Sequence, residues 1–102
     1  KKIFSKNKTT FCYCISEYPL QIKKINWKNA TQFDGFSDHT LGITAPIIYA
    51  TLKKYQGFKN IMIEKHIKLK NSKGPDASSS IDTEEFSKMI KSIRIVENSK
   101  LK

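Results

Sequence analysis

The chain contains two histidines, His39 and His66, 27 residues apart. That interval is one strand-plus-helix unit, so a parallel sheet would bring them side by side at the ends of neighbouring strands. Residues two apart on a strand share a face, which groups Ser37 with His39 and Glu64 with His66. Lys65 then points the other way and is expected to snorkel outward. Two imidazoles with a carboxylate and a hydroxyl could hold a divalent metal that keeps positions open for substrate. The alternative is that each histidine simply ends a strand and hydrogen-bonds locally.

The elements that must position these residues alternate along the chain. Residues 11–16 form a β-prone apolar run and are expected to be a buried strand ended by Glu17-Tyr18-Pro19. A short helix is expected over 25–33, poorly capped by Asn26, and a second strand runs through 34–40. A stronger helix is expected over about 43–54, with Ile43, Ile47, Ile48, Leu52 and Tyr55 on one side and Gly57 as its stop. Residues 60–66 read as a third strand. After a polar loop, Lys70 to Ser80, Asp82 and Glu85 form a capping box. Along the helix that follows, Phe86, Met89, Ile90, Ile93 and Val96 recur at helical spacing, so one face should be buried. The order β-α-β-α-β-α is that of a parallel α/β layer, either an open sheet or part of a barrel. In both, ligand sites form at the C-terminal ends of the strands, here 16–19, 37–40 and 64–66.

Composition narrows the class. One hundred and two residues allow one small domain or a piece of a larger one. No apolar run approaches the roughly 18 residues a membrane span requires, and the basic N-terminus has no apolar stretch behind it to make a signal peptide. The chain opens on Lys1 rather than Met, and is expected to be cut from something longer. A net charge of +10 raises the question of nucleic acid. The charge comes from 18 lysines and one arginine, Arg94, with no lysine run longer than a pair. That pattern suits a solvated surface better than a phosphate clamp, which favours Arg. Cys12 and Cys14 are ill placed to bridge each other and lack a second pair for zinc, so both are expected to be buried free thiols in a reducing cytoplasm.

The segment Gly35-Phe36-Ser37-Asp38-His39-Thr40-Leu41-Gly42 resembles the Gly-Tyr-Ser-Asp-His-Thr-x-Gly signature of the sialic acid (N-acetylneuraminate) synthase family. Ile63-Glu64-Lys65-His66 is similar to its Ile-Glu-Lys-His strand, and Gly74-Pro75-Asp76 to its Gly-Pro-Asp loop. Cys14-Ile15-Ser16-Glu17-Tyr18-Pro19 is similar to the strand end that precedes them. The resemblance covers 11–98, with 1–10 a poorly defined segment and 99–102 a tail. It implies the last three βα units, strands six to eight, of a (β/α)8 barrel of the TIM type, a fold that takes about 250 residues when whole.

The resemblance also implies a reaction. The family condenses phosphoenolpyruvate with an N-acyl amino sugar such as N-acetylmannosamine, giving a nonulosonic acid and phosphate. His39 and His66 match its metal-binding histidines, for manganese, magnesium or a similar ion that polarises the open-chain sugar aldehyde. The double-bond carbon of phosphoenolpyruvate attacks that aldehyde, water adds at carbon 2, and phosphate leaves by C–O cleavage. Ser37 matches a phosphoenolpyruvate-binding serine, Tyr18 and Asp76 match positions near the sugar, and Glu64 a carboxylate facing the same cavity, so that Glu64 and Tyr18 are expected to be catalytic and Ser16, Ser37 and Asp76 substrate-binding. Ser16 stands where many members place an Asn that contacts phosphoenolpyruvate. The loop reads Gly-Pro-Asp-Ala rather than the more frequent Gly-Pro-Asp-His, which leaves the sugar open: N-acetylneuraminate is the first choice of product, with legionaminate or another nonulosonate close behind. The implied whole protein is a cytoplasmic homodimer with no nucleic-acid or membrane partner. This chain alone should be inactive and, with two open strand edges and an unclosed apolar face, prone to associate. The competing readings are a basic polyanion-binding module and a non-functional gene remnant.

Overall fold

The structure, a computed structural model, describes residues 10–69 and 79–101. Among these, three strands form one parallel sheet in the order β1-β2-β3: β1 (Cys12–Tyr13), β2 (Gly35–Asp38) and β3 (Met62–Lys65). Between them run α1 (Trp27–Ala30), preceded by a 3-10 turn over Ile22–Lys24, and α2 (Thr44–Tyr55); α3 (Thr83–Glu97) follows β3. The α/β alternation expected from the sequence is present.

Local chemistry accounts for where the elements start and stop. The Asn26 side chain accepts a hydrogen bond from Asn29 N at 3.1 Å, capping α1. Asp82 and Glu85 form the reciprocal capping box of α3, with Glu85 N donating to Asp82 Oδ1 at 2.8 Å and Asp82 N to Glu85 Oε1 at 3.3 Å. At the end of α2, Gly57 takes φ of +91°, and the amides of Gly57 and Phe58 donate to the carbonyls of Lys54 and Lys53. That is the left-handed cap for which glycine is suited.

The core lies on the side of the sheet covered by helices. Phe36 sits at its centre, stacked on Tyr49 with centroids 5.0 Å apart and flanked by Trp27 and Tyr13. Tyr49 donates its hydroxyl to Phe33 O at 2.6 Å. Burial, helped by the nearby Asp34 charge, pushes its phenol up to about 12. Lys53 is also buried: its ammonium donates to Thr31 O at the end of α1 and lies 3.6 Å over the Phe58 ring centroid. Burial pushes this lysine's pKa down, and Asp34 partly opposes the shift.

Five expectations need correction. The first strand is two residues long rather than six, and its surroundings are not buried, since Phe11 and Cys14 are exposed. Among the described residues it is an edge strand, paired on one side only, with one face open. The cysteines are free as expected, but Cys12 is half-buried and Cys14 exposed. The face of α2 that meets the sheet is Ala45, Pro46, Tyr49, Ala50 and Lys53, while Ile47, Ile48 and Leu52 are half-buried on its flanks and Tyr55 is exposed. Small side chains let the helix approach closely, and the large aliphatic residues are displaced sideways. Lys65 does not snorkel outward: its side chain is wholly buried. On α3, Met89 is buried and Phe86, Ile90, Ile93 and Val96 are half-buried along a groove facing α2 and β3. The uncovered face of the sheet is mixed rather than apolar, carrying Cys12, Gly35, Ser37, Met62 and Glu64.

Candidate functional site

The β2–β3 register sets Ser37 opposite Glu64 and Asp38 opposite Lys65. On the uncovered face, Ser37 donates its hydroxyl to Glu64 Oε1 at 2.8 Å. One residue beyond each strand end, the rings of His39 and His66 lie 6.1 Å apart. The adjacency expected from their 27-residue spacing is therefore present.

The two histidines differ in surroundings. His39 is buried and held from both sides. Its Nδ1 lies 2.7 Å from the carbonyl oxygen of Ile15, an acceptor, so this nitrogen carries a proton, and in the neutral ring Nε2 has the lone pair. The Tyr18 ring packs on it with centroids 4.1 Å apart, and Cys14 Sγ is 3.9 Å from Nδ1. Partial desolvation first, then the charge of Glu64 and then Cys12, push the Cys14 thiol pKa up, although the residue as a whole is exposed. His66 is exposed. Each histidine's backbone is fixed by a segment from elsewhere: Leu20 N donates to His39 O at 2.8 Å, and Ile81 N to His66 O at 3.0 Å.

The structure thus brings together Ser37, Glu64, His39, His66 and Tyr18. Ser16 is exposed on the turn between Ile15, which orients His39, and Glu17. Asp76 lies outside the described residues. An imidazole pair in which one ring has its outer nitrogen oriented by a backbone carbonyl has the chemistry of a ligand set for a divalent cation. Among the described residues, no group of three His, Cys, Asp or Glu side chains gathers closely enough to enclose an ion.

Sequence reasoning missed what lies behind this face. Lys65 Nζ donates to Asp38 Oδ2 at 2.8 Å and also to Thr40 O, and both charged side chains are fully buried. Asp38 Oδ1 accepts from Thr40 N at 2.9 Å and Thr40 Oγ1 at 2.7 Å. The signal was present: Asp38 and Lys65 have the parity of Phe36 and Ile63, so both point to the core, with opposite charges at facing positions.

Among the described residues, no helix is long and apolar enough to cross a membrane. The NeuB family profile matches residues 3–101. Over 93 residues the chain is 40% identical to an uncharacterized protein of Methanocaldococcus jannaschii, covering 83% of this chain and 26% of that protein. It is 37% identical to the N,N'-diacetyllegionaminic acid synthase of Legionella pneumophila, over 83% of this chain and 24% of that one. To the human N-acetylneuraminate-9-phosphate synthase it is 33% identical over 85% of this chain and 26% of the enzyme. The chain therefore spans about a quarter of the length of these relatives. Because the match runs through both histidine-bearing strand ends and almost the entire sequence, this chain belongs to the NeuB family, the sialic acid synthase group that its motifs resemble.

Proposed function

We propose that the protein carrying this chain is a metal-dependent synthase that condenses phosphoenolpyruvate with an N-acyl amino sugar, releasing phosphate and a nonulosonic acid. In this reading the uncovered face of β1–β3 is part of the interior of a (β/α)8 barrel, and the strand ends are its active-site rim. The observation that supports it best is His39: its Nδ1–H is committed to Ile15 O, which in the neutral ring leaves the Nε2 lone pair for a metal, and the His39 and His66 ring centroids lie 6.1 Å apart.

His39 and His66 would hold manganese, magnesium or a similar ion, which when bound supplies Lewis-acid polarisation of the sugar aldehyde. Around it, the chain's own side chains bind and orient. The Ser37 hydroxyl, held toward Glu64, can rotate to donate to a phosphate oxygen; Glu64 is then left facing the same cavity as an acceptor for sugar hydroxyls or for a proton. Tyr18 covers His39 and presents a half-exposed phenol edge to the sugar. Ser16 is the phosphoenolpyruvate contact beyond β1, and Asp76 a sugar contact. The names of the relatives, which include synthases of legionaminic, pseudaminic and N-acetylneuraminic acid derivatives, support a sugar acid as product. N-acetylneuraminate is the product we assay first. The whole protein acts as a cytoplasmic homodimer in this reading.

The test is phosphate release from phosphoenolpyruvate with N-acetylmannosamine, using the protein that carries this chain after chelation and after manganese is restored. Turnover should vanish on chelation, return with the ion, and be absent in His39→Ala. Turnover that ignores both the chelator and the substitution would refute the proposal.

A further inference from the structure

The regular β2–β3 ladder ends at Asp38 opposite Lys65, one residue short of each histidine. Beyond that point the two chains separate in their pairing. Thr40 bridges to Leu20 and Ile67 bridges to Ile81, and the carbonyls of His39 and His66 accept hydrogen bonds from Leu20 and Ile81, not from each other's strand. The two histidine carbonyls are thus each tied to a different neighbour.

Among the side chains beside the histidines, the buried ion pair crosses between the two strands. Lys65, next to His66, reaches across to Asp38 and Thr40, the two residues flanking His39. Asp38 in turn folds back on Thr40 through both the backbone amide and the hydroxyl. The result is a clamp whose arms adjoin the two histidines in sequence, on the helix side of the sheet, and both of its charged side chains are wholly shielded from water. A buried pair of this kind adds little net stability over two well-packed apolar side chains, and its best-attested use is to fix registry.

We infer that Asp38 and Lys65, with Thr40, are positioning residues that set the separation of His39 and His66 for their metal. The inference rests on the proposed metal site and adds to it the residues that hold the site's geometry. It predicts that removing the clamp without unfolding the protein loosens metal binding, because substitutions of groups that support ligands lower metal affinity by about 10- to 100-fold.

The experiment is manganese titration followed by electron paramagnetic resonance, with the metal-free melting temperature measured in parallel. It compares the parent protein, the paired substitution Asp38→Leu with Lys65→Met, and His66→Ala. The paired variant should melt near the parent without metal yet bind manganese about 10- to 100-fold more weakly, with an altered spectrum. Parent-like affinity and spectrum in a folded paired variant overturn the inference while leaving the metal site standing, provided His66→Ala has lost binding. Manganese binding equal in the parent and His66→Ala removes the metal site itself, and the inference with it. If the paired variant does not fold, Thr40→Val, which deletes only the hydroxyl bond to Asp38, takes its place. A smaller loss of affinity in the same direction supports the clamp, and unchanged affinity in that folded variant overturns it.

Discussion

Alternate residues of β2 and β3 belong to two different environments. Phe36, Asp38, Ile63 and Lys65 face the helices, where Phe36, Asp38 and Lys65 are buried, whereas Ser37 and Glu64 lie on the uncovered face and the second histidine, His66, is exposed. The side under the helices holds an aromatic stack and a charge clamp, both satisfied within the protein. The other side holds a hydroxyl, a carboxylate and imidazoles, with bonding capacity left over. A strand of four residues is thus divided by its pleat into one face that maintains the fold and one that, in the proposed function, carries the chemistry. Substitutions on the two faces should differ in kind as well as in size.

The largest stability losses should come from the helix side. Lys65→Met alone leaves Asp38 charged, buried and short of its partner, and should cost about 3–5 kcal/mol of unfolding free energy in chemical denaturation. Phe36→Ala opens a cavity between Tyr49, Trp27 and Tyr13 and should cost about 3–5 kcal/mol by the same measurement. Tyr49 adds a pH signature. Its folded pKa, about 12, exceeds the ordinary value of 10, so its contribution is fully present below pH 10 and is lost as pH rises toward 12, where the unfolded phenol ionises first. Tyr49→Phe should flatten that alkaline decline in urea titrations at pH 9 to 12. Asp82→Ala, which removes the α3 cap on neither face of the sheet, should cost about 1 kcal/mol. Ser37→Ala and Glu64→Gln, on the uncovered side, should change stability by no more than about 0.5 kcal/mol, while both lower turnover of the protein that carries this chain. A stability loss at Glu64 as large as at Lys65 would erase the contrast between the faces.

Much of this division was legible in the residue pattern, because local rules governed it. The capping box at Asp82 and Glu85, the Gly57 stop and the pairing of Ser37 with Glu64 all follow from spacings of two to four residues or from one strand-helix repeat. The failures occurred where a partner distant in sequence decided the outcome. The hydrophobic pattern placed Ile47, Ile48 and Leu52 of α2 against the sheet, but close approach selected Ala45, Ala50 and Tyr49. The apolar run around Cys14 suggested a long buried strand, yet an edge position with one open face leaves only Cys12–Tyr13 paired. Lys65 was assigned outward on chemical type alone; its inward burial depends on Asp38, 27 positions away. Nothing in local sequence indicated that the Ile15 carbonyl would fix the protonated nitrogen of His39.

The central claim is that His66 serves a metal and not the fold, and thermal unfolding of the parent protein and His66→Ala, with and without manganese, tests it most directly. Because His66 is exposed, the metal-free melting temperatures should agree. Manganese should raise the melting temperature of the parent, through preferential binding to the folded state, and leave that of His66→Ala where it was. An equal manganese shift in both proteins would contradict the account.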